Sequence, residues 1–372
     1  MMDRPLTVYI DFKSPYAYLA VEPTRRMAEE LDIPINWLPF VLDIPSYLGS
    51  ARLDKSGEVA EASRSRAQWS GVKYAYYDCR RYANLRGMTI RGTVKIWDTN
   101  LAAIGMLWAR GQGDEILQRY IDGIYVPFWK RELDVESVAV VEGVLGDAGA
   151  EVHGFKTFAQ GEGAQKNQLM QQESFGRGIF GVPTYVLGDD IYFGREHLPR
   201  IRWQLEGEHG PAPDVGYELL PDDVVETATG RNLDVGISLE EPESYLAIRQ
   251  VLIMAEDLEL AVKWYALPPK KPSSQPDSGD HSRGARHRRF RAESRERDQR
   301  HYLTQELASG DLAPVIVSLL EQNGISLQEG GSSVAWAGAG YVSSPVFSLG
   351  EEIFVGRQHL PLIRARLQRA VP

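Results

Sequence analysis

The stretch Leu6–Phe40, LTVYIDFKSPYAYLAVEPTRRMAEELDIPINWLPF, decides the fold. Apolar side chains alternate over residues 6–12 as in a β-strand, and Pro15 is typical of the first turn of a helix that continues to about Leu31. A second apolar run, Ile33 to Pro39, predicts another strand. The chain is therefore expected to begin with a β-α-β unit.

The same stretch recurs in the second half of the chain. Leu6–Phe40 aligns without a gap with Leu233–Leu267 at 12 identical positions of 35. A second ungapped match sets Gly181–Leu205 against Ser343–Leu367, with 12 identities in 25 positions. Two collinear matches predict an internal duplication, in which the second copy is 65 residues shorter between its matching segments.

The content of proline, glycine and aspartate in His209–Asp223, HGPAPDVGYELLPDD, is typical of a linker between the copies. We therefore predict one domain over residues 1–206, a linker over 207–230 and a degenerate second copy over 231–372. Within that copy, residues 268–300 combine Pro, Ser, Gly and many Arg, which predicts a disordered loop. Such a basic run can also bind phosphate or nucleic acid, but a solvated loop is the expected role in an acidic protein.

The first copy differs from the second in its middle. Helical spacing of apolar residues over about 58–175 predicts a helical insert without strands. The stretch Val182–Gly194, VPTYVLGDDIYFG, then predicts a β-hairpin, and His197–Leu205 predicts a closing helix. This order of elements is the layout of a thioredoxin-like α/β fold with an inserted helical domain, which we expect to be duplicated in tandem.

Composition limits the classes of function. The 372 residues are 43% hydrophobic and 25% charged with a net charge of −10, which is typical of a globular protein and does not favour nucleic acid as a partner. The N-terminal residues lack the pattern of a signal peptide and no apolar run is long enough to span a membrane, so we expect a cytoplasmic protein. The single cysteine, Cys79, excludes an internal disulfide, a CxxC couple and a cysteine-based zinc site, and we predict no metal.

Two motifs narrow the family. DFKSPYAYLA at Asp11–Ala20 and FGVPTYVLGDDIYFGREHL at Phe180–Leu198 resemble the kappa-class glutathione transferases and the 2-hydroxychromene-2-carboxylate isomerases, relatives of the disulfide-oxidoreductase branch. The resemblance extends over residues 6 to about 206. It implies glutathione as cofactor, a small-molecule substrate and isomerase or transferase activity. Relatives of this family are commonly dimers, so we expect either a homodimer or a pseudo-dimer within one chain.

Ser14 is the candidate catalytic residue. It lies where a strand ends and a helix begins, directly before Pro15, so that its hydroxyl and the first backbone N–H groups of the helix face the same point. A thiolate there would gain about 0.3–1 kcal/mol from the helix terminus and about 1.5–3 kcal/mol from a charged hydrogen bond. Together these effects lower a thiol pKa of about 8.5 by roughly one to three units. As a simple alternative, Ser14 only caps the helix.

The resemblance assigns further contacts to glutathione. Val182-Pro183 is expected to be a cis peptide whose backbone pairs with the cysteinyl part of glutathione. The family places an acidic residue at the start of the last helix to hold the γ-glutamyl amine, and here that position is Glu196 rather than the more usual Asp. Arg195 stands where the family usually has a neutral polar residue, which is a second departure. Simpler roles for Pro183 and Glu196 are strand entry and a favourable interaction with the helix dipole.

Other residues have two interpretations each. Asp11 either assists the site or ends the strand, and Cys79 has basic neighbours but is expected to be buried and inert. An aromatic cluster either lines a substrate pocket or packs helices: Trp69, Tyr74, Tyr76, Tyr77 and Tyr82. In the second copy Glu241 takes the place of Ser14, and a carboxylate there would repel a thiolate. That copy is expected to serve packing, regulation or partner binding.

Three classes of function remain. The first is a glutathione-dependent isomerase or transferase acting on an unsaturated or aromatic small molecule. The second is a non-catalytic binding protein built on two thioredoxin-like domains. The third, a disulfide oxidoreductase, is opposed by Ser14 and Ala17 at the positions of the two cysteines of a CxxC pair.

Overall fold

The computed structural model describes residues 6–54, 59–226, 228, 230, 232–267, 282–304, 307, 310–328, 336 and 344–368. Contacts between Cα atoms divide the chain into two units. The first comprises Met1–Arg195 and Ser278–Arg291, and the second comprises Glu196–Asp277 and Ala292–Pro372. This division differs from the sequence-based boundary at 207–230, and the bounds drawn from the sequence stay a prediction.

The first unit contains a four-stranded sheet and a set of helices. Its elements are β1 (Leu6–Ile10), α1 (Pro15–Glu30), β2 (Ile35–Pro39), α2 (Pro45–Leu48), β3 (Ala51–Leu53), β4 (Val59–Ala62), α3 (Arg66–Leu85), α4 (Asn100–Arg110), α5 (Asp114–Trp129), α6 (Val138–Asp147), α7 (Phe155–Gln160), α8 (Glu162–Gly176), β5 (Thr184–Leu187) and β6 (Asp190–Phe193). The predicted β-α-β unit, hairpin and helical insert are thus present.

The first sheet has the strand order β2-β1-β5-β6. β1 runs parallel to β2 and antiparallel to β5, and β5 pairs with β6 as a hairpin. As a central strand, β1 is buried almost throughout, which explains its nearly continuous apolar sequence, LTVYI. The sheet brings the end of β1 and the start of β5 to neighbouring positions, and these two points carry Ser14 and Pro183.

α1 begins at Pro15 because Ser14 adopts an extended backbone and accepts a hydrogen bond from the backbone N–H of Ala17. The helix ends at Glu30, just before Asp32, whose φ of 51° breaks the helical path. Both limits lie within one residue of the predicted ones.

The expectation of no strand within about residues 58–175 is wrong for β4 (Val59–Ala62). β3 and β4 form a separate antiparallel pair, with Ala51 opposite Ala62. All four residues of β4 are exposed, so this strand lacks the alternation of apolar and polar side chains that reveals half-buried strands. The rest of the insert is helical, as predicted.

The second unit contains a sheet with the same plan. Its elements follow a short 3-10 helix at Arg195–His197: α9 (Leu198–Leu205), β7 (Asn232–Ile237), α10 (Pro242–Leu258), β8 (Ala261–Ala266), α11 (Arg283–Tyr302), α12 (Leu312–Gln322), β9 (Val346–Leu349), β10 (Glu352–Val355), a 3-10 helix (Arg357–His359) and α13 (Leu360–Gln368). By the contact division, α11 contributes its residues up to Arg291 to the first unit and the remainder to the second.

The strand order of this sheet is β10-β9-β7-β8, which repeats the plan of the first sheet. β7 is parallel to β8 and antiparallel to β9. The register repeats as well, because Val8 lies opposite Trp37 in one sheet and Val235 lies opposite Trp264 in the other. Cis prolyl peptides precede both hairpins, at Val182-Pro183 and Ser344-Pro345. The repeated sequence therefore corresponds to a repeated topology.

The predicted loop at 268–300 is corrected in part. Residues 268–281 lie outside the described residues, but the chain from Arg283 to Tyr302 is helical. Composition misled the prediction because arginine and glutamate are good helix formers, and because aromatic residues scattered in the basic run pack on other elements. Phe290, for example, packs against Phe175 with ring centroids 5.2 Å apart.

In the part of the chain that the structure describes, no helix has the length and apolarity needed to cross a membrane.

Candidate functional site

A cavity of about 800 Å³ opens within the first unit. The start of α1 contributes Lys13, Ser14 and Tyr16 to its lining, and the turn before β5 contributes Val182. This volume lies toward the upper end of the range of about 300–1,000 Å³ that ligand pockets occupy. The cavity therefore joins the two motifs that the sequence singled out, the end of β1 and the cis prolyl turn.

The hydroxyl group of Ser14 is held in a defined position. Its Oγ accepts a hydrogen bond from the backbone N–H of Ala17 at 3.2 Å, and its own backbone N–H donates to the carbonyl of Asp11. The residue is 5% exposed, yet it lines the cavity. Because the oxygen accepts from the helix, the hydroxyl hydrogen is left to be donated toward a group in the cavity.

A buried polar network supports the turn that carries Ser14. The carboxylate of Asp11 accepts hydrogen bonds from the hydroxyl of Thr99 at 2.6 Å and from the backbone N–H of Leu42 at 2.7 Å. The ammonium group of Lys13 lies 3.5 Å from the same carboxylate and donates to the Thr99 hydroxyl at 3.2 Å. Asp11 therefore organises the turn, and its carboxylate balances the charge of Lys13 next to Ser14.

Another part of the cavity wall is aromatic and cationic. Trp69, Tyr74 and Tyr76 of the predicted cluster line the cavity. Tyr77 is 45% exposed, and Tyr82 is fully buried. Cationic side chains join the three aromatic residues in the lining: Arg64, Lys73, Arg80 and Lys95. A ligand that combines an apolar or aromatic body with negative charge matches this wall best.

A buried acid lies on α3 behind this wall. Asp78 forms an ion pair with Arg81 at 2.7 Å, and Tyr16 donates a hydrogen bond to its carboxylate. Burial raises the pKa of Asp78 to about 6, although Arg81 and Arg195 act to lower it. The neighbouring Cys79 is fully buried, and burial raises the pKa of its thiol well above the usual value. The predicted burial of Cys79 is confirmed, and its environment disfavours the reactive thiolate.

Of the four predicted site residues, Ser14 and Val182 line the cavity. The Val182-Pro183 bond is cis, as expected. Glu196 lies in the 3-10 helix Arg195–His197, its carbonyl accepts a hydrogen bond from the backbone N–H of Gly216, and the contact division places it in the second unit. It is not among the described residues that line the cavity, so its role toward glutathione stays a prediction.

The second unit shows what replaces Ser14. Glu241 is the N-cap residue of α10, and its carboxylate accepts a hydrogen bond from the backbone N–H of Ser344 at 3.1 Å. Ser344 precedes the cis proline of that unit, as Val182 does in the first. The side chain of Glu241 thus binds the backbone N–H of the residue that corresponds to Val182, and Val182 belongs to the cavity lining of the first unit. In the second copy, the residue at the position of Ser14 is therefore hydrogen-bonded within its own unit.

The family model described as a DSBA-like thioredoxin domain matches residues 5–206, which is more than half of the chain. The chain belongs to this family. A 2-hydroxychromene-2-carboxylate isomerase of Sphingobium xenophagum is 24% identical over 200 residues, covering 53% of this chain and 95% of that protein. A protein of the same name from Pseudomonas putida is 25% identical over 196 residues, covering 51% and 88%.

A solved structure of a 2-hydroxychromene-2-carboxylate isomerase is similar to this chain, with 20% identity and a TM-score of 0.41, and the match covers 55% of this chain and 94% of that one. The curated relatives are named as isomerases, in agreement with the resemblance given by the two sequence motifs. All of the predicted site residues fall within the matched segment, residues 5–206.

Several lining residues escaped the sequence analysis. Lys13 stands next to Ser14 in the motif, but a lysine at a strand end is usually solvated, so its position in the sequence does not indicate a cavity. His287 and Arg291 also line the cavity, but they come from the basic run that composition assigned to a loop. Only the fold brings this run to the DSBA-like domain, and no local pattern in the sequence indicates it.

Proposed function

We propose that the DSBA-like domain of this chain is a glutathione-dependent isomerase or transferase that acts on an unsaturated or aromatic small molecule. One observation carries the proposal: Ser14 and the cis prolyl turn at Val182 open on one cavity that also has aromatic and cationic walls. The names of the curated relatives favour isomerisation over transfer.

The residues present fit the thiol of glutathione. The hydroxyl hydrogen of Ser14 is positioned to donate to sulfur, and the N-terminus of α1 points the same way. Both favour the thiolate over the thiol, since each interacts better with a negative charge. The backbone of Val182 lies on the same cavity and would hold the cysteinyl part of the molecule.

Bound glutathione would supply a thiolate that adds to an electrophilic carbon of the substrate and leaves again after bond rotation, so that neither atoms nor electrons are consumed. Ser14 donates a hydrogen bond to the sulfur before addition and after departure. The cationic side chains of the aromatic and cationic wall orient negative charge on the substrate, and the aromatic residues Trp69 and Tyr76 cover its apolar part.

The competing proposal is a non-catalytic binding protein built on two thioredoxin-like units. It is favoured by Glu241, which fills the position corresponding to the proposed thiol site in the second unit. Disulfide exchange has no support, because Cys79 is the single cysteine of the chain and is buried.

Calorimetric titration with glutathione, followed by an isomerase assay with 2-hydroxychromene-2-carboxylate, tests the proposal. We expect binding at millimolar or lower glutathione and turnover that depends on it. Failure of glutathione to bind at millimolar concentration would favour the binding-protein alternative. Turnover without added glutathione in dialysed protein would contradict the assigned cofactor.

A further inference from the structure

A segment from outside the family domain forms part of the cavity wall. The family match ends at residue 206, yet His287 and Arg291 of α11 line the cavity. The contact division assigns Ser278–Arg291 to the first unit. The start of α11, residues 283–291, is therefore an addition to the DSBA-like domain that the second half of the chain provides.

His287 attaches this segment to the cavity lining itself. Its ring is stacked on Tyr47, with centroids 3.9 Å apart and an interplanar angle of 5°, and it meets the ring of Phe180 edge to face at 5.3 Å. Tyr47 and Phe180 both line the cavity, and His287 is 7% exposed. The contact is thus a packed one rather than a surface encounter.

Further contacts fix the segment on two sides of His287. The guanidinium group of Arg283 lies 3.4 Å from the carboxylate of Asp43 and 4.7 Å from the ring of Phe175. Arg286 lies 4.8 Å from the same ring, and Phe290 packs on it at 5.2 Å. Three side chains of the segment therefore share Phe175 as an anchor.

Gly284 permits the close approach of the two backbones. A Cβ atom at this position would lie 2.4 Å from the carbonyl oxygen of Ser46, a distance that real Cβ contacts do not reach. Because the obstructing atom is backbone, any larger side chain has to push the segment away from α2. The glycine is therefore specific to the docked position.

Arg291 is the cation that the segment brings to the cavity. Burial, Arg291 and Arg288 lower the pKa of His287 to about 4, so the imidazole is neutral at pH 7 while the guanidinium group stays charged. The segment thereby adds a positive charge to the cationic side chains that the DSBA-like domain already places around the cavity.

We propose that residues 283–291 are a ligand-binding addition to the domain, docked through His287 and Gly284, in which Arg291 binds a carboxylate of the molecule in the cavity. A guanidinium group forms a two-pronged hydrogen-bonded pair with a carboxylate, which matches an acidic ligand with an aromatic or unsaturated body. The inference rests on the proposed function in one respect, since the carboxylate belongs either to the substrate or to glutathione.

Binding of two probes to the full-length chain tests this inference: cinnamate, an aromatic carboxylate without a thiol, and glutathione. We expect Arg291→Gln to weaken binding of at least one probe about tenfold, equivalent to about 1.4 kcal/mol, and Arg291→Lys to restore part of it. Arg289→Gln is the matched control, since Arg289 is an exposed arginine on the same helix that does not belong to the described cavity lining. Its binding should change less than twofold.

A second pair of variants separates docking from charge. Gly284→Ala keeps Arg291 but lifts the segment, and it should weaken the same probe as Arg291→Gln does. Gly143→Ala is the control, because a Cβ atom at that helical position meets nothing within 4 Å. Circular dichroism confirms that the variants are folded.

The outcomes distinguish the inference from the proposed function. Loss of cinnamate binding in Arg291→Gln, in a protein that does not bind glutathione at all, supports the inference and rejects the cofactor. Selective loss of glutathione binding assigns the carboxylate to glutathione. If the wild-type protein binds neither probe, or if Arg291→Gln binds both as the wild type does, the inference is wrong.

Discussion

At Ser14, helix capping and the proposed activation of a thiol use different parts of one hydroxyl group. The oxygen accepts from the backbone of Ala17 at 3.2 Å, and the hydrogen is available to a ligand. The simple role and the functional role foreseen from the sequence are therefore compatible. The contacts of Asp11 favour its structural role, because its carboxylate accepts hydrogen bonds from Leu42 and Thr99 and pairs with Lys13 around the turn.

The buried ion pair between Asp78 and Arg81 should be essential for stability. Both side chains are almost fully buried at 2.7 Å separation, so Asp78→Ala removes the carboxylate that balances the charge of a buried guanidinium group. We expect the free energy of unfolding in urea at pH 7 to fall by about 3–5 kcal/mol. As a control, Glu61→Ala removes an exposed pair with Arg52 and should cost about 0–1 kcal/mol. Equal effects of the two substitutions would show that burial does not govern the pair.

Cys79 should be inert in the folded protein. Its thiol is fully buried and its pKa is raised by burial and by Asp78, so the thiolate is not populated at neutral pH. Reaction with Ellman's reagent should be slow in buffer and fast in denaturant, and Cys79→Ala should keep near-normal turnover. Rapid labelling of the native protein, or loss of turnover without loss of folding, would contradict the non-redox assignment.

At the scale of elements, the sequence predicted what local patterns encode. Alternating apolar residues revealed β1, the Ser-Pro pair revealed the start of α1, and glycine with two aspartates revealed the hairpin between β5 and β6. It did not predict β4, whose residues are all exposed, or the helix α11 within a basic run. β4 is held by its pairing with β3 and buries no apolar face, whereas α11 packs on distant residues such as Phe175. Neither element therefore shows a local apolar pattern.

The residues of the cavity likewise comprise some that local sequence patterns reveal and others that only the tertiary fold brings to the site. Ser14 and the Val182-Pro183 turn were identified because each lies in a motif at the end of a strand. The contributions of Lys13, His287 and Arg291 depend on which side chains the tertiary fold places around those motifs. Trp69, Tyr74 and Tyr76 were recognised as a cluster, but the helical spacing alone did not separate lining residues from packing residues.

The docking of α11 should weaken in acid. The folded pKa of His287 is about 4 against an ordinary value of 6.5, so as the pH falls below 6.5 the unfolded state takes up the proton first. Its contribution to stability is therefore present above pH 6.5 and is lost as the pH falls toward 4. His287→Phe keeps the stack on Tyr47 without a titrating group, and its unfolding free energy should fall less between pH 7 and 4.5 than that of the wild type. Parallel curves for the two proteins would exclude His287 as the cause.

At the scale of the whole molecule, the chain contains two sheets with the same strand order that differ in the residue at the start of the first helix of each unit. The first keeps a hydroxyl group at the start of its helix and opens a cavity there. The second places the carboxylate of Glu241 at the corresponding point and binds the backbone of Ser344 with it. The sequence repeat and the repeated topology agree, and the second copy contributes the start of α11 to the contacts of the first unit.

The second copy offers an internal control. Glu241→Ala leaves the backbone N–H of Ser344 without its acceptor, which should destabilise the protein by about 1–3 kcal/mol. Glutathione affinity and turnover should stay unchanged, since no thiolate is expected beside this carboxylate. Calorimetry and chemical denaturation of the variant measure the two quantities. Loss of glutathione binding in Glu241→Ala, with binding intact in Ser14→Ala, would place the site in the other half of the chain.

The pKa of the thiol of bound glutathione, measured from the ultraviolet absorbance of the thiolate during a pH titration, tests the central claim most directly. In the wild-type protein this pKa should lie below the ordinary value of about 8.5. In Ser14→Ala it should rise by about one to two units, because a charged hydrogen bond of about 1.5–3 kcal/mol is lost. Unfolding free energy should change by no more than about 1 kcal/mol for the lost cap. The same titration midpoint in both proteins would contradict the assignment of Ser14 as the group that stabilises the thiolate.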